Sequence, residues 1–328
     1  MRRLLIVMNP WLCAFIVLLL GAPAAAQPAQ AVYPGKTIKV VVGVPPGGST
    51  DSVARLFAEW LQQSLGQPTM VENRPGANTT VAADAVARSA PDGHTLLVAT
   101  DAFITVPLLT KVGFDPSKDF VPVGTLALSH FVMAVHPSTS IRSVQELVTQ
   151  ARAQPGRLSY GSSGNGGSSH LAMEKFKLIT GTRIVHIPYR GAGPALTDGI
   201  AGQYELSIWT PLAIGPHVAA GKLRALAITG PRRSALMPEV PTFAEAGLPA
   251  FNYRAWQSVF APAGTPRPVL DLLRTEIQKM LSAPKVKETL ERQGIEPFFS
   301  TPDQMAAMLR ADTADNAKLI KAAHIRMD

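Results

Sequence analysis

Cysteine is nearly absent: the 328 residues contain one, Cys13, inside the first apolar stretch. Once that stretch is removed, no disulfide, thiol nucleophile or thiolate metal centre is possible. The seven histidines are dispersed and never fall in H-E-x-x-H spacing, so no metal site is expected. No G-x-x-x-x-G-K-S/T segment occurs, which removes the phosphate loop of nucleotide hydrolases. Residues 164–169 hold G-x-G without the third glycine of a dinucleotide fingerprint, and 161–164 read G-S-S-G, not the G-x-S-x-G of a nucleophile elbow. No cofactor is therefore anticipated. Aromatic residues are only 6% of the chain and do not interleave with the basic ones, so the net charge of +8 does not read as a nucleic-acid surface.

A leader is present instead. Arg2 and Arg3 precede an apolar run from Leu4 to Leu20, and small residues follow at Ala24 and Ala26. This pattern reads as a secretory signal peptide, residues 1–26, cut after Ala26. The competing reading is an uncleaved membrane anchor, against which Asn9 and Pro10 interrupt the run. Leu12, not a small residue, precedes Cys13, which does not suit a lipoprotein leader. Loss of the two arginines leaves a charge of about +6, and about 300 residues, a length that favours two domains. No second apolar run is long enough to span a bilayer. The expected location is the periplasm.

Along the remainder, short β-rich runs alternate with helical patterns. "TIKVVVGV" is nearly all apolar, as a parallel strand buried on both faces would be. A helix over residues 52–65 follows, with Val53, Leu56, Phe57, Trp60, Leu61 and Leu65 on one stripe. "PTMVEN" and "TLLVAT" are further strands, separated by the turn "RPGANTT" and the helix "VAADAVARSA". This βαβαβ order implies a doubly wound sheet that takes ligands at the carboxyl ends of its strands. "DFVPVGTLALSHFVMAVHP" is long enough to leave the first domain; a second alternating set follows, and "WQSVFAPAG" reads as the strand that returns. The expected fold is α/β with two domains, 32–132 plus 256–328 and 133–255. Its two crossover segments, with hinges near 130–136 and 251–258, leave a central cleft.

Two glycine-rich loops carry the functional reading. In "VPPGGSTDSVAR", Pro46 ends the strand, Gly47 and Gly48 leave the backbone bare, and Ser49, Thr50 or Asp51 can cap the helix. A helix start offers unpaired N–H groups and a partial positive charge to an anion. Asp51 would repel that anion unless it turns inward or pairs with Arg55 one turn on. The alternative is an ordinary strand–helix turn. "SYGSSGNGGSSHLAMEKF" repeats the design, with Ser162, Ser163, Gly164, Asn165 and Gly166 in the loop. His170 falls in the first turn of the next helix, either donating to a ligand oxygen or simply starting the helix.

These stretches, with "YPGKTIKVVVGV", "VENRPGA", "HIPYRGAGPALTDGIAGQ", "GKLRALAITGPRRSALMPEVPTFAEAGLP" and "FAPAGTPRPVLDLL", resemble the Bug family over nearly the whole mature chain. These are periplasmic solute-binding proteins associated with tripartite tricarboxylate transporters. The resemblance implies a type II periplasmic-binding-protein (Venus-flytrap) fold closing on a small carboxylate, held largely by backbone groups of the loops matching 45–51 and 162–166. It also implies membrane transporter subunits as partners. The rest of the ligand would face Thr100, Asp101, Tyr189, Trp209 and Thr210.

Two positions depart from the family pattern. "ATDAF" puts Asp101 where members carry small or polar residues; it would accept from an amino group or hydroxyl and oppose a second carboxylate, or else serve as a surface helix cap. Trp209 stands where aspartate is frequent; it would wall the pocket and stack on a flat ligand, or fill space at the domain junction. Together they favour an aromatic or an amino- or hydroxy-bearing carboxylate. The reading is a monomeric binding protein with no catalytic residues. Its rivals are a protein that feeds a sensor and a secreted serine hydrolase built on Ser162 or Ser163 with His170.

Overall fold

The computed structural model describes residues 33–327, so the leader expected from the sequence lies outside the described residues. The chain opens with β1 (Ile38–Val42), α1 (Ser49–Leu65), β2 (Thr69–Asn73), α2 (Thr80–Ala87), β3 (Thr95–Ala99), α3 (Ala102–Thr105) and β4 (Phe120–Ser129). β1 lies parallel to β2 and β3, with Val40 opposite Val71 on one side and Leu96 on the other. That central position explains the apolar run: Ile38, Val40 and Val42 are fully buried. α1 buries Val53, Ala54, Phe57, Ala58 and Leu61, one stripe at helical spacing. Complete burial of Phe57 and Leu61 contributes about 1.5–3 kcal/mol each.

The stretch after residue 119 divides between two sheets. β4 stays with the first; after His130 the chain enters β5 (Val132–Val135), which belongs to the second. There follow α4 (Val144–Ala153), β6 (Ser159–Ser162), α5 (Ser168–Thr180), β7 (Val185–Pro188), α6 (Ala192–Ile200), β8 (Leu206–Trp209), α7 (Pro211–Ala219) and β9 (Arg224–Ile228). The return strand β10 (Ala255–Pro262) inserts antiparallel between β3 and β4. α8 (Arg267–Ser282), α9 (Pro284–Glu291), β11 (Ile295–Pro297) and α10 (Pro302–Ala322) complete the chain. The six-stranded sheet has the order β11-β4-β10-β3-β1-β2, and the five-stranded sheet β7-β6-β8-β5-β9. This is the two-lobed α/β architecture with two crossovers anticipated from the sequence.

Two features were not anticipated. β11 adds an antiparallel edge to β4. α10 lies across both lobes: Met305, Met308 and Leu309 pack on the first lobe's core, while Leu319, Ile320 and Ala323 pack on the second. No helix among the described residues is long and apolar enough to cross a membrane.

Candidate functional site

The first glycine loop follows β1 and remains exposed from Pro45 to Gly48. Gly47 sits at φ 97°, a region closed to most side chains. α1 begins three residues earlier than its apolar stripe suggests, and its cap differs from expectation. Gly48 is the N-cap, extended at φ −86° and ψ 172°, and no side chain caps the helix. Ser49, Thr50 and Asp51 are instead the first turn, because Gly48 already supplies the carbonyl to Ser52 N–H at 3.0 Å.

Asp51 turns inward, as its conflict with an anion required. Its Oδ2 accepts from Gly47 N–H at 3.0 Å and Arg55 Nε at 2.9 Å; its Oδ1 accepts from Arg55 at 3.0 Å and Asn73 Nδ2 at 2.8 Å. Burial alone would raise its pKa, but the bonds from Arg55, Asn73 and Gly47 outweigh burial and hold it below the usual carboxylate value. The loop is thus braced by a neutralised acid, while the helix start keeps its own partial positive charge.

The second loop links β6 to α5, whose N-cap Gly167 again lacks a side-chain cap. Serine hydroxyls fold it: Ser163 N–H donates to Ser169 Oγ at 3.1 Å and Gly164 N–H to Ser162 Oγ at 3.1 Å. Gly164 has φ 124°, and a Cβ there would lie 3.2 Å from the Asn78 side chain and the Tyr189 carbonyl.

His170 is only 4% exposed and faces inward. Its Nδ1 accepts from Gly166 N–H at 3.0 Å, and its ring stacks on His186 at 3.9 Å between centroids. Burial, aided by Lys177, lowers its pKa to about 4, so the ring is neutral and acts through the loop it braces. The hydrolase alternative needed a serine against His170. The serine–histidine contact that forms is different: Ser162 Oγ and His186 Nε2 are 2.6 Å apart. Ser162 is fully buried and its oxygen already accepts from Gly164, so this pair supports the loop and offers no surface to an ester.

Each glycine-loop region makes a polar contact with the opposite lobe. Ser49 Oγ donates to Thr210 Oγ1 at 3.1 Å, joining the starts of α1 and α7. Asn78 Nδ2 donates to the Asn165 carbonyl at 2.5 Å. Asn78 was not singled out by the sequence, yet Ala77, Asn78 and Thr79 have φ of 42°, 49° and 76°. Three successive left-handed residues without glycine are costly, and such strain gathers at functional sites.

The other expected residues are placed as follows. Thr100 follows β3 and is buried. Asp101, 4% exposed, is no surface cap: its Oδ1 accepts from Ser168 Oγ and its Oδ2 from Tyr253 hydroxyl. Burial raises its pKa against those two bonds. Tyr189 follows β7 and donates its hydroxyl to Asp198 at 2.9 Å; burial and Asp198 push its pKa up to about 12. Trp209 is 5% exposed, within an apolar cluster of the second lobe that includes Ala195, Ile214 and Met237. Its indole Nε1–H is buried without a hydrogen-bond partner. A separate groove of about 570 Å³ lies at the junction of α5, α10 and the returning segment, lined by Lys175, Tyr253, Arg254 and Asp312 among others. Asp101 borders it, whereas the glycine loops do not.

Comparison with known proteins points to one family. The tripartite tricarboxylate transporter family receptor model matches residues 53–325. The chain belongs to this receptor family. BugT of Bordetella pertussis is 38% identical over 297 residues, covering 89% of this chain and 91% of BugT. Rpa4515 of R. palustris, solved with adipate, is 34% identical and superposes with a TM-score of 0.84 over 90% of this chain and 100% of that one. MatC from Rhodopseudomonas palustris with bound malate is 30% identical, with a TM-score of 0.78 over 88% of this chain and 100% of MatC. The family consists of solute-binding receptors, and the Venus-flytrap architecture read from the sequence is the fold these relatives share.

Proposed function

We propose that this receptor captures a small organic carboxylate between its lobes in the periplasm and hands it to membrane transporter subunits. The observation that carries the reading is that each helix-start loop region makes a polar contact with the opposite lobe, Ser49 with Thr210 and Asn165 with Asn78. A carboxylate between them would meet the start of α1, with Gly47, Gly48, Ser49 and Thr50 on one side and Ser163, Gly164 and Thr210 on the other. Charge-assisted bonds of this kind contribute about 1.5–3 kcal/mol apiece. Thr100, Tyr189 and Trp209 bound the remainder of the ligand. The adipate and malate of Rpa4515 and MatC support a carboxylate as the ligand class. The protein works as a monomer without catalytic chemistry, its leader removed on export.

A thermal-shift screen of carboxylates tests this. A ligand at a hundred times its Kd adds about 2.7 kcal/mol to native-state stability, enough to move the melting point by several degrees. A broad screen to a few millimolar with no shift would refute the proposal. Capture of membrane partners by the loaded protein then separates delivery to a transporter from delivery to a sensor.

A further inference from the structure

We propose that Asp101 is a positioning residue for closure: it fastens the start of α5 to the first lobe and so fixes the second glycine loop when the lobes meet. The inference rests on the carboxylate-receptor reading above and adds to it a residue that need not touch the ligand. The first turn of α5 faces two ways. Ser169 Oγ accepts from Ser163 N–H and His170 Nδ1 from Gly166 N–H, so these side chains hold the loop to its own helix. Ser168 instead reaches the opposite lobe, where its hydroxyl donates to Asp101 Oδ1.

The other oxygen, Oδ2, accepts from the Tyr253 hydroxyl. Tyr253 lies on the returning crossover, and its ring packs 5.6 Å from that of Phe131 on the outgoing one. One carboxyl group therefore joins the first lobe, the second lobe and a crossover. Its main chain is braced from the first-lobe side. The Asp101 carbonyl accepts from Thr105 N–H at 3.1 Å and Thr105 Oγ1 at 2.8 Å, and that hydroxyl in turn accepts from Asn316 of α10 at 2.9 Å.

Two other first-lobe residues meet the same loop. Asn78 donates to the Asn165 carbonyl, and a Cβ on Gly166 would lie 2.6 Å from Leu109 Cδ1. Asn78, Leu109 and Asp101 thus touch residues 165, 166 and 168, and contacts spread around one loop fix an orientation that a single contact would let rock. Asp101 is the buried member of the set, so water does not replace a missing partner while the lobes are together. When they part, water satisfies both Ser168 and Asp101, and the bond then favours neither state of the open protein. The tie therefore acts on the closed form, the one that a ligand selects.

The experiment compares Ser168→Ala with the wild type in the full mature chain, by calorimetric titration and by urea unfolding without ligand. Adipate and malate are the probes; where neither binds, the acid of the broad screen with the largest melting shift replaces them. Alanine suits the helix start and leaves one Asp101 oxygen unmatched in the closed form only. Affinity should fall about fivefold or more, while the urea midpoint of the ligand-free protein stays within error. Ser168→Thr, which keeps a hydroxyl, should restore the affinity. Unchanged affinity in Ser168→Ala overturns the tie and leaves the receptor reading intact. A lower urea midpoint with unchanged affinity makes the bond merely structural and also overturns it, as does an affinity loss that Ser168→Thr does not restore. Should Ser168→Ala fail to fold, Asp101→Asn, which keeps the shape but only one acceptor oxygen, is read in the same way. If no acid of the screen binds, the receptor reading and the tie fall together.

Discussion

Acidification should unpick the second loop through one side chain. His170 is neutral in the folded protein, with a pKa of about 4 against 6.5 for an unperturbed imidazole. The unfolded chain therefore binds one more proton at this position between those two values, and stability falls as pH falls through that window. The contribution is complete above about pH 6.5 and is lost as pH approaches 4. A difference of about 2.5 pH units corresponds to about 3 kcal/mol, of which about 2 kcal/mol should be gone by pH 4.5. The structural cause is specific: protonation at Nδ1 removes the acceptor of Gly166 N–H and places a charge in a stack with His186. His170→Asn offers an oxygen near the position of Nδ1 and cannot titrate. Urea unfolding of both proteins from pH 7 to 4.5 isolates the contribution of position 170 together with its contacts to His186 and Glu174, because groups away from it titrate alike in the two. Carboxylates with lowered pKa values, such as Asp92 at about 2, act below this window. The wild type should lose about 2 kcal/mol more than the variant. Parallel curves, differing by less than about 0.5 kcal/mol across the range, would refute the assignment.

Asn78→Ala removes the cross-lobe bond to Asn165 and places alanine in a left-handed conformation that asparagine tolerates better; carboxylate affinity should fall about threefold to tenfold, and unchanged affinity by calorimetry would show that the contact does not contribute to closure. Gly164→Ala should cost about 1–3 kcal/mol, because its φ is 124° and the new Cβ meets Asn78 and the Tyr189 carbonyl; a melting temperature equal to wild type would mean the loop rearranges freely.

Local physics made part of this molecule legible in its sequence. The run around β1 announced a strand buried on both faces, and four-residue spacing announced the Asp51–Arg55 pair. The division of residues 120–135 between lobes was visible because one apolar stretch was too long for a single strand. What stayed hidden depends on distant partners. Asp101 is bound by residues 67 and 152 positions away, and nothing in "ATDAF" names Ser168 or Tyr253. His170 looked like a site residue because it follows a glycine loop; its inward direction is set by helix phase, which puts it on the same face as buried Glu174. Asn78 escaped notice because a run of left-handed residues without glycine has no compositional mark. β11 is three residues ending in proline, too short to show any period.

On the proposed reading, the balance of forces lets a single carboxylate act as the trigger. Each lobe has its own apolar core: Phe57, Leu61 and Val259 belong to the first, while Phe176, Leu171 and Met133 belong to the second. Hydrophobic burial stabilises each lobe mainly from within, while α10 packs Leu319 and Ile320 on the second core. The polar contacts across the lobes beside the glycine loops include a hydroxyl pair, an amide–carbonyl bond and the Ser168–Asp101 bond. Each gives about 0.5–1.5 kcal/mol net, because water competes for the same groups when the lobes part. Carrying such an equilibrium from 1:99 to 99:1 takes about 5.5 kcal/mol of differential affinity. Two or three charge-assisted bonds of about 1.5–3 kcal/mol, made only when both loops reach the same anion, supply that amount. An apolar interface between the lobes would fix one state regardless of ligand. On the proposed reading, sparse polar bridging beside the loops keeps closure conditional on ligand.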